Sequence, residues 1–360
     1  MLPALKPAKE RFPALTGIRT MGAAAVFFLH LSFKIGFNIS VDVMALFFVL
    51  SGFLIFYIYY ENAAVKKWQL RQYFINRFAR IYPVYFLLVT VAILLRHDFR
   101  PLFLFKNYTL THALFHHFSD IAIQPSWSIT VEECFYFLAP LFMYLVTRFS
   151  FYLALLSGAL LLVAALFIST LPLSFLHTSR LVFSTTFFGH FFEFFCGIFL
   201  ALVILKREKK GVIALQGIKY TIGGLAGIAM AIGITELTKN MNDPGQATQF
   251  FLINNFILPI PVAVLYYGLM CEKSGLATFL SFKWLGLLGR TSYAFYLVHT
   301  IVIESIAVPF IQPYFSGYHN LYVITVFVLA QIIAFCIYVF YEVPLNTFIR
   351  KKFSSARVVV

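Results

Sequence analysis

Several ionisable side chains stand inside stretches that are otherwise apolar: His30, Asp42, Glu132, Glu133, His190, Glu193, Arg290, His299 and Glu304. An ionisable group at membrane depth is costly and marks a functional position by default. Imidazole beside a carboxylate is the usual general base with its orienting partner. His30 is therefore the candidate catalytic base, with Glu132 as its first carboxylate candidate and Asp42 as its second. Arg19, Arg77, Arg80 and Arg290 form a basic set near the ends of apolar runs. Guanidinium forks match phosphate oxygens, so these four are candidates to hold a phosphate-bearing donor. Together the two sets suggest group transfer from a donor gripped by its phosphates to an acceptor deprotonated by His30.

The elements that must carry these residues follow from composition. Hydrophobic residues make up 61% of the 360, and charged residues only 12%. A typical soluble protein is about 45–50% apolar and about 25% charged. Mean hydropathy is +0.85, more apolar surface than a soluble fold of this size hides from water. A cytosolic enzyme, a disordered chain and a disulfide-stapled secreted domain are excluded. An all-α, polytopic membrane protein remains. Apolar runs of spanning length fall near 17–37, 41–60, 81–96, 127–147, 149–171, 182–205, 219–237, 250–271, 285–308 and 321–343, which predicts about ten transmembrane helices in one domain over 1–360. Ala23, Ala24 and Ala25 precede most of the first apolar run, whereas a signal-peptide cleavage site follows it, so that helix is expected to be retained. Cys134, Cys196, Cys271 and Cys336 lie in apolar runs without CxxC spacing and read as small buried hydrophobes.

Basic residues orient the spans. With the N-terminus inside, 22 of the 28 Lys and Arg fall on inner segments; Lys34, Arg96, Arg100, Lys106, Arg180 and Lys239 fall outside. That asymmetry predicts an N-in, C-in arrangement, with 1–16 a cytoplasmic N-terminus and 344–360 a cytoplasmic basic tail. It also accounts for the net charge of +14 without a nucleic-acid partner. At ~1.5 Å rise per helical residue, His30, Asp42, Glu132 and His299 reach the outer half of the bilayer, and the arginines lie near the inner face. The two zones are then roughly 15–20 Å apart, about the reach of a pantetheine arm by extended-chain dimensions. An acyl-CoA held by its phosphates inside would present its thioester near His30.

Plainer readings stay open beside these. A histidine in a span also serves as a helix–helix hydrogen-bond residue, and Arg77 and Arg80 also serve as topology anchors. His190 and Glu193, at i and i+3, pair with each other on one helix face. Arg148 and the basic run 206–210 read as anchors. His112, His116 and His117 lack an acidic or Cys ligand at firm spacing, so no metal is expected.

The motifs are also legible as a set. Phe12–Arg19 followed by His30, Ser40-Val41-Asp42 leading into Phe47–Ile55, the Arg77-Phe78-Ala79-Arg80 element, Trp127-Ser128 through Glu132 to Tyr136, and Tyr293–His299 occur in order along nearly the whole chain. The sequence resembles the acyltransferase 3 family of bacterial integral membrane acyltransferases. The resemblance implies a multi-pass protein of the bacterial inner membrane. It also implies transfer of an acyl group, often acetyl from acetyl-CoA, to a hydroxyl of a cell-envelope glycan or lipid-linked sugar. His30 would stand at the catalytic centre and Arg77 and Arg80 near the donor. Trp127, Ser128, Tyr296 and His299 are expected to line the substrate cavity, with Ser128 a donor to the thioester oxyanion. Cys134 stands where the family commonly has Gln. Some relatives carry a fused extracytoplasmic hydrolase-like domain that is not seen in this sequence, so a second acyl-handling step is expected on a separate protein. The rival expectations are an acyltransferase acting on a lipid or small metabolite, and a transporter or flippase using the same buried charges as an ion path.

Overall fold

The computed structural model describes residues 12–34, 43–114, 120–171, 179–212, 214–237, 244–315 and 318–353. Ten helical segments among them are long and apolar enough to cross a membrane. In chain order the helices are α1 (Pro13–Lys34), α2 (Met44–Ala64), α3 (Leu70–Arg96), α4 (Pro101–Tyr108), α5 (Trp127–Arg148), α6 (Phe151–Ser169), α7 (Ser179–Thr185), α8 (Phe187–Lys209), α9 (Lys219–Leu237), α10 (Pro244–Leu252), α11 (Pro259–Cys271), α12 (Gly275–Leu280), α13 (Lys283–Val302), α14 (His319–Ile337) and α15 (Val343–Phe353). Wider π-helical turns join α10 to α11, extend α13 through Ile311, and join α14 to α15. No β-strand occurs among the described residues; a single bridge links Leu215 and Glu272. This is the all-α architecture expected, because a backbone in hydrocarbon must satisfy its own hydrogen bonds.

Most boundaries fall within several residues of the hydropathy reading, and two differ by ten or more. The third span starts at Leu70 rather than near 81, so Arg77 and Arg80 sit inside a helix and not in a loop before it. Leu, Arg and Gln are good helix formers, and the charge of Arg71, Arg77 and Arg80 hides these turns from a hydropathy window without opposing helix formation. At the other end, α15 carries the helical path to Phe353, into the segment expected as tail.

The chain divides into two compact units. The first comprises the described parts of Met1–Gly22, Ser40–Trp68 and Val131–Gly289; the second, those of Ala23–Ile39, Gln69–Thr130 and Arg290–Val360.

In the first unit, α2 and α8 meet at glycines. A Cβ on Gly52 would lie 2.1 Å from the Phe194 carbonyl oxygen, and one on Gly197 would lie 2.0 Å from that of Val49. Small residues let backbones approach where lipid supplies no hydrophobic drive between helices. Around this crossing Phe135 stacks on Phe194 with centroids 4.2 Å apart, and Phe48 on Phe194 at 5.0 Å. On α8, His190 and Glu193 pair as the i, i+3 spacing suggested, with Nδ1 2.8 Å from the carboxylate. At the start of α9, Glu272 accepts from the Tyr220 and Thr221 amides at 2.9 and 2.8 Å and from the Thr221 hydroxyl at 2.8 Å. Burial works to raise the Glu272 pKa, but those bonds, with Lys219 nearby, hold it below the usual carboxylate value. A carboxylate at a helix N-terminus also suits the helix dipole.

In the second unit, Phe27 of α1, Phe295 of α13 and Phe327 of α14 meet at 5.3–5.8 Å. Pro83 lies inside α3 and brings no N–H to the Ala79 carbonyl one turn back. Asn346 of α15 donates to that carbonyl instead, at 2.8 Å. A side chain from a neighbouring helix thus satisfies the group that proline orphaned, as a spanning helix requires.

Candidate functional site

The second unit gathers most of the chemistry-bearing residues. His30, three residues after Phe27 on α1, is half-buried. Its ring lies 5.3 Å from that of His299 on α13, tilted by 53°. His299 is fully buried. Its Nδ1 donates to the Phe295 carbonyl at 3.2 Å, the helical i−4 acceptor. A carbonyl only accepts, so the proton sits on Nδ1 and Nε2 keeps its lone pair. Among the described residues that Nε2 has no hydrogen-bond partner. Phe295 stacks on the His299 ring at 5.8 Å, and Tyr296 lies 6.0 Å away.

Tyr296 ties this pair to the turn before α5. Its hydroxyl lies 2.9 Å from the Pro125 carbonyl and 2.7 Å from the Ser128 hydroxyl, which is itself 3.0 Å from the same carbonyl. Two hydroxyl protons therefore serve three short contacts. One hydroxyl donates to Pro125 and the other to the first hydroxyl. Ser128 and Tyr296 are both buried, at 5% and 8% exposure. The expected Ser128 oxyanion donor thus has its single proton engaged, and would donate to substrate only when this triangle opens. Trp127 begins α5 next to it, half-buried.

The turn itself is held from the loop that follows α4. Ser126 donates to the Ile123 carbonyl at 2.7 Å and accepts from His112 Nε2 at 2.9 Å. His112 is fully buried. Burial pushes its pKa down to about 4 against the hydrogen bonds that favour the cation, so near pH 7 it is a neutral donor. His116 and His117 lie outside the described residues. Asn107 braces the same loop. It donates to the Asp120 carbonyl and accepts from the Ala122 amide, both at 2.8 Å, while its own carbonyl accepts from Tyr85 at 2.7 Å.

The arginines are placed unequally. Arg80 pairs with the buried Glu342 at 2.5 Å and lies 5.6 Å over the ring of Tyr293. Tyr293 in turn donates to the Ile81 carbonyl at 2.9 Å. The sequence reading missed Glu342, although a lone carboxylate in an apolar span is itself a call for a cation. Arg77 lies three residues before Arg80 on α3, half-buried. Arg290 is exposed on α13.

Two candidates belong to the first unit. Arg19, on α1, is half-buried and within electrostatic reach of Tyr266. Glu132 is held by hydroxyls: Ser51 of α2 donates to Oε1 at 2.5 Å and Tyr136 to Oε2 at 3.3 Å. Neither hydroxyl was singled out from sequence as its partner. Asp42 lies outside the described residues.

Comparison with known proteins adds an independent line. The family model for an acyltransferase domain matches residues 12–342. The peptidoglycan O-acetyltransferase OatA of Listeria monocytogenes is 27% identical over 338 residues, covering 82% of this chain and 50% of its own. The O-acetyltransferase OatA of Staphylococcus aureus is 26% identical over 375 residues, covering 94% and 57%. The putative peptidoglycan O-acetyltransferase YrhL of Bacillus subtilis is 29% identical over 321 residues, covering 81% and 48%. The chain spans about half the length of the curated relatives it matches. No solved structure matches it.

Proposed function

The chain belongs to that acyltransferase family, and from this premise we propose that it is a membrane O-acyltransferase. It moves an acyl group, acetyl by analogy with the relatives' names, from an acyl-CoA donor to a hydroxyl of a cell-envelope glycan. The observation that carries the reading is the pairing of His30 with His299, two imidazoles on different helices in an otherwise apolar setting. His30 Nε2 or Nδ1 takes the proton of the acceptor hydroxyl as its oxygen attacks the thioester carbonyl. The tetrahedral intermediate collapses, the carbon–sulfur bond breaks, and the departing thiolate takes the proton back from the imidazolium. His299, with Nδ1 donating to the Phe295 carbonyl, keeps an Nε2 lone pair on a ring 5.3 Å from that of His30.

Glu132 is proposed as the carboxylate that stabilises the imidazolium, and Asp42 as the second candidate. Arg77, Arg80, Arg290 and Arg19 are proposed to hold the donor's phosphates. Glu342 keeps the Arg80 guanidinium oriented for this, because a fork already bound on one edge loses less freedom on binding a second anion. Trp127, Ser128, Tyr296 and His299 line the substrate cavity in this proposal. The charge asymmetry of the loops supports N-in, C-in orientation in the inner membrane, which puts the donor on the cytoplasmic side.

The test is thioester consumption by purified protein given acetyl-CoA and fragments of envelope glycan. Free thiol together with an alkali-labile ester on the glycan is the expected result. His30→Ala should lower turnover by about 10²–10⁴-fold, the worth of general base catalysis. Near-normal turnover in His30→Gln, at matched membrane expression, would remove His30 from the mechanism. Ester found on a lipid or small metabolite in place of glycan would reassign the acceptor. No thiol release with any acceptor would leave a transporter.

A further inference from the structure

Within the first unit two cavities adjoin at Phe151, which lines both. One, of about 450 Å³, is apolar and aromatic; α8 lines it from Phe192 to Val203, with Leu155, Ile260 and Tyr267 opposite. Eleven residues of helix rise about 16 Å, close to half of the ~30 Å hydrocarbon core. The other, of about 470 Å³, continues along α8 and is lined by Leu202, Leu205, Lys206, Lys209 and Lys210 together with Tyr60. Positions 202, 206 and 209/210 recur at helical spacing, so the apolar floor and the lysines share one face of α8.

The charges at this end do not cancel. Lys209 pairs with Glu61 at 2.9 Å. Glu208 accepts from Tyr57, and Glu272 is taken up by the start of α9. Arg207 lies over the Tyr267 ring at 5.8 Å, and Lys219 over that of Tyr220 at 5.0 Å. Among the described residues neither Lys206 nor Lys210 has an ion-pair partner. Neutralising the C-terminal helix dipole asks for only about half a charge. Two further lysines at the mouth of a cavity exceed that need.

We propose that these two cavities form one binding site for an anionic phospholipid, with an acyl chain along the aromatic cavity and the headgroup phosphate between Lys206 and Lys210. An apolar channel one leaflet long that opens onto lysines fits a lipid better than a soluble anion, which would leave the aromatic half empty. A zwitterionic lipid fills the apolar half equally but brings its own cation to the lysines. Basic pockets between spanning helices select anionic headgroups in this way. None of its lining residues is among those proposed for the chemistry, and it does not depend on that chemistry.

The experiment is native mass spectrometry of delipidated, detergent-purified protein, titrated with dioleoylphosphatidylglycerol or dioleoylphosphatidylcholine. Phosphatidylglycerol should bind preferentially at one site. Lys206→Gln/Lys210→Gln should weaken it by roughly 30-fold, from about a fivefold share for each surface lysine. Ala263→Phe, which fills the apolar cavity, should weaken it too while leaving the lysines intact. Equal binding of the two lipids, or unchanged phosphatidylglycerol binding in the double lysine variant, overturns the proposal. Glycerol phosphate alone competing at the same concentration as the lipid would assign the lysines to a soluble anion and also overturn it. Thiol release from acetyl-CoA, measured on the same samples, reports separately on the catalytic reading.

Discussion

His112 links the loop between α4 and α5 to the candidate site, and its burial makes that link sensitive to acid. In the folded loop its pKa is pushed down to about 4, whereas the exposed side chain titrates at 6.5. The open loop therefore takes up a proton that the closed loop refuses. Stability of the closed loop is full above pH 6.5 and falls as pH drops through the window from 6.5 to 4. The complete loss is about 3.4 kcal/mol, from the gap of about 2.5 at ~1.36 kcal/mol per pH unit. At pH 5 about 2 kcal/mol has gone, so the loop opens roughly 30-fold more often. His112→Gln keeps an N–H donor for Ser126 and does not titrate. Hydrogen exchange at the Ala122 and Ser126 amides, corrected for intrinsic rates, reads this opening directly. Between pH 7.5 and pH 5 wild-type protection should fall roughly 30-fold more than that of the Gln variant. The reasoning fails if both proteins lose protection equally, because the acid-sensitive group would then lie elsewhere. Since the loop fixes Ser126 beside Trp127 and Ser128, turnover should decline over the same window in wild type more than in His112→Gln.

Three further outcomes are expected. Glu342→Ala leaves the Arg80 guanidinium, only a fifth exposed, without its counter-charge. It should cost up to about 3 kcal/mol in thermal unfolding, and far less once Arg80→Ala is added; strictly additive effects in that double-mutant cycle would contradict the pairing. Gly52→Ala places a methyl 2.1 Å from a backbone oxygen of α8. The two helices must part, at a cost of about 1–3 kcal/mol or more, so a melting temperature equal to wild type would argue against this crossing. For orientation, single cysteines at Val212 and Arg100, both exposed, in a background lacking the four native ones, should meet an impermeant maleimide on opposite sides of the membrane. Val212→Cys should react only from the cytoplasm, and its labelling in intact cells would reverse the topology.

The number and rough extent of the spans were legible in the residues alone, because membrane crossing is a local property: about twenty apolar residues suffice, wherever the rest of the chain goes. The i, i+3 pairing of His190 with Glu193 was legible for the same reason, since one helix sets both positions. The start of α3 at Leu70 was not. Arg71, Arg77 and Arg80 depress hydropathy there, while the helix continues beneath them. Orientation rests on the sequence alone, through the uneven spread of Lys and Arg over the loops. The partners of the candidate site residues depended on folding. Glu132 meets Ser51, 81 residues away, and Arg80 meets Glu342, 262 residues away. Ser128 shares a hydrogen bond with Tyr296 from 168 residues off. No spacing rule reaches across such separations. Which hydroxyl or carboxylate satisfies a buried charge is decided by which helices pack together, and that follows from glycine contacts and aromatic stacking summed within each packed unit. Residue type therefore announced that His30, Glu132 and Arg80 need partners in an apolar medium, and only the packed helices chose them.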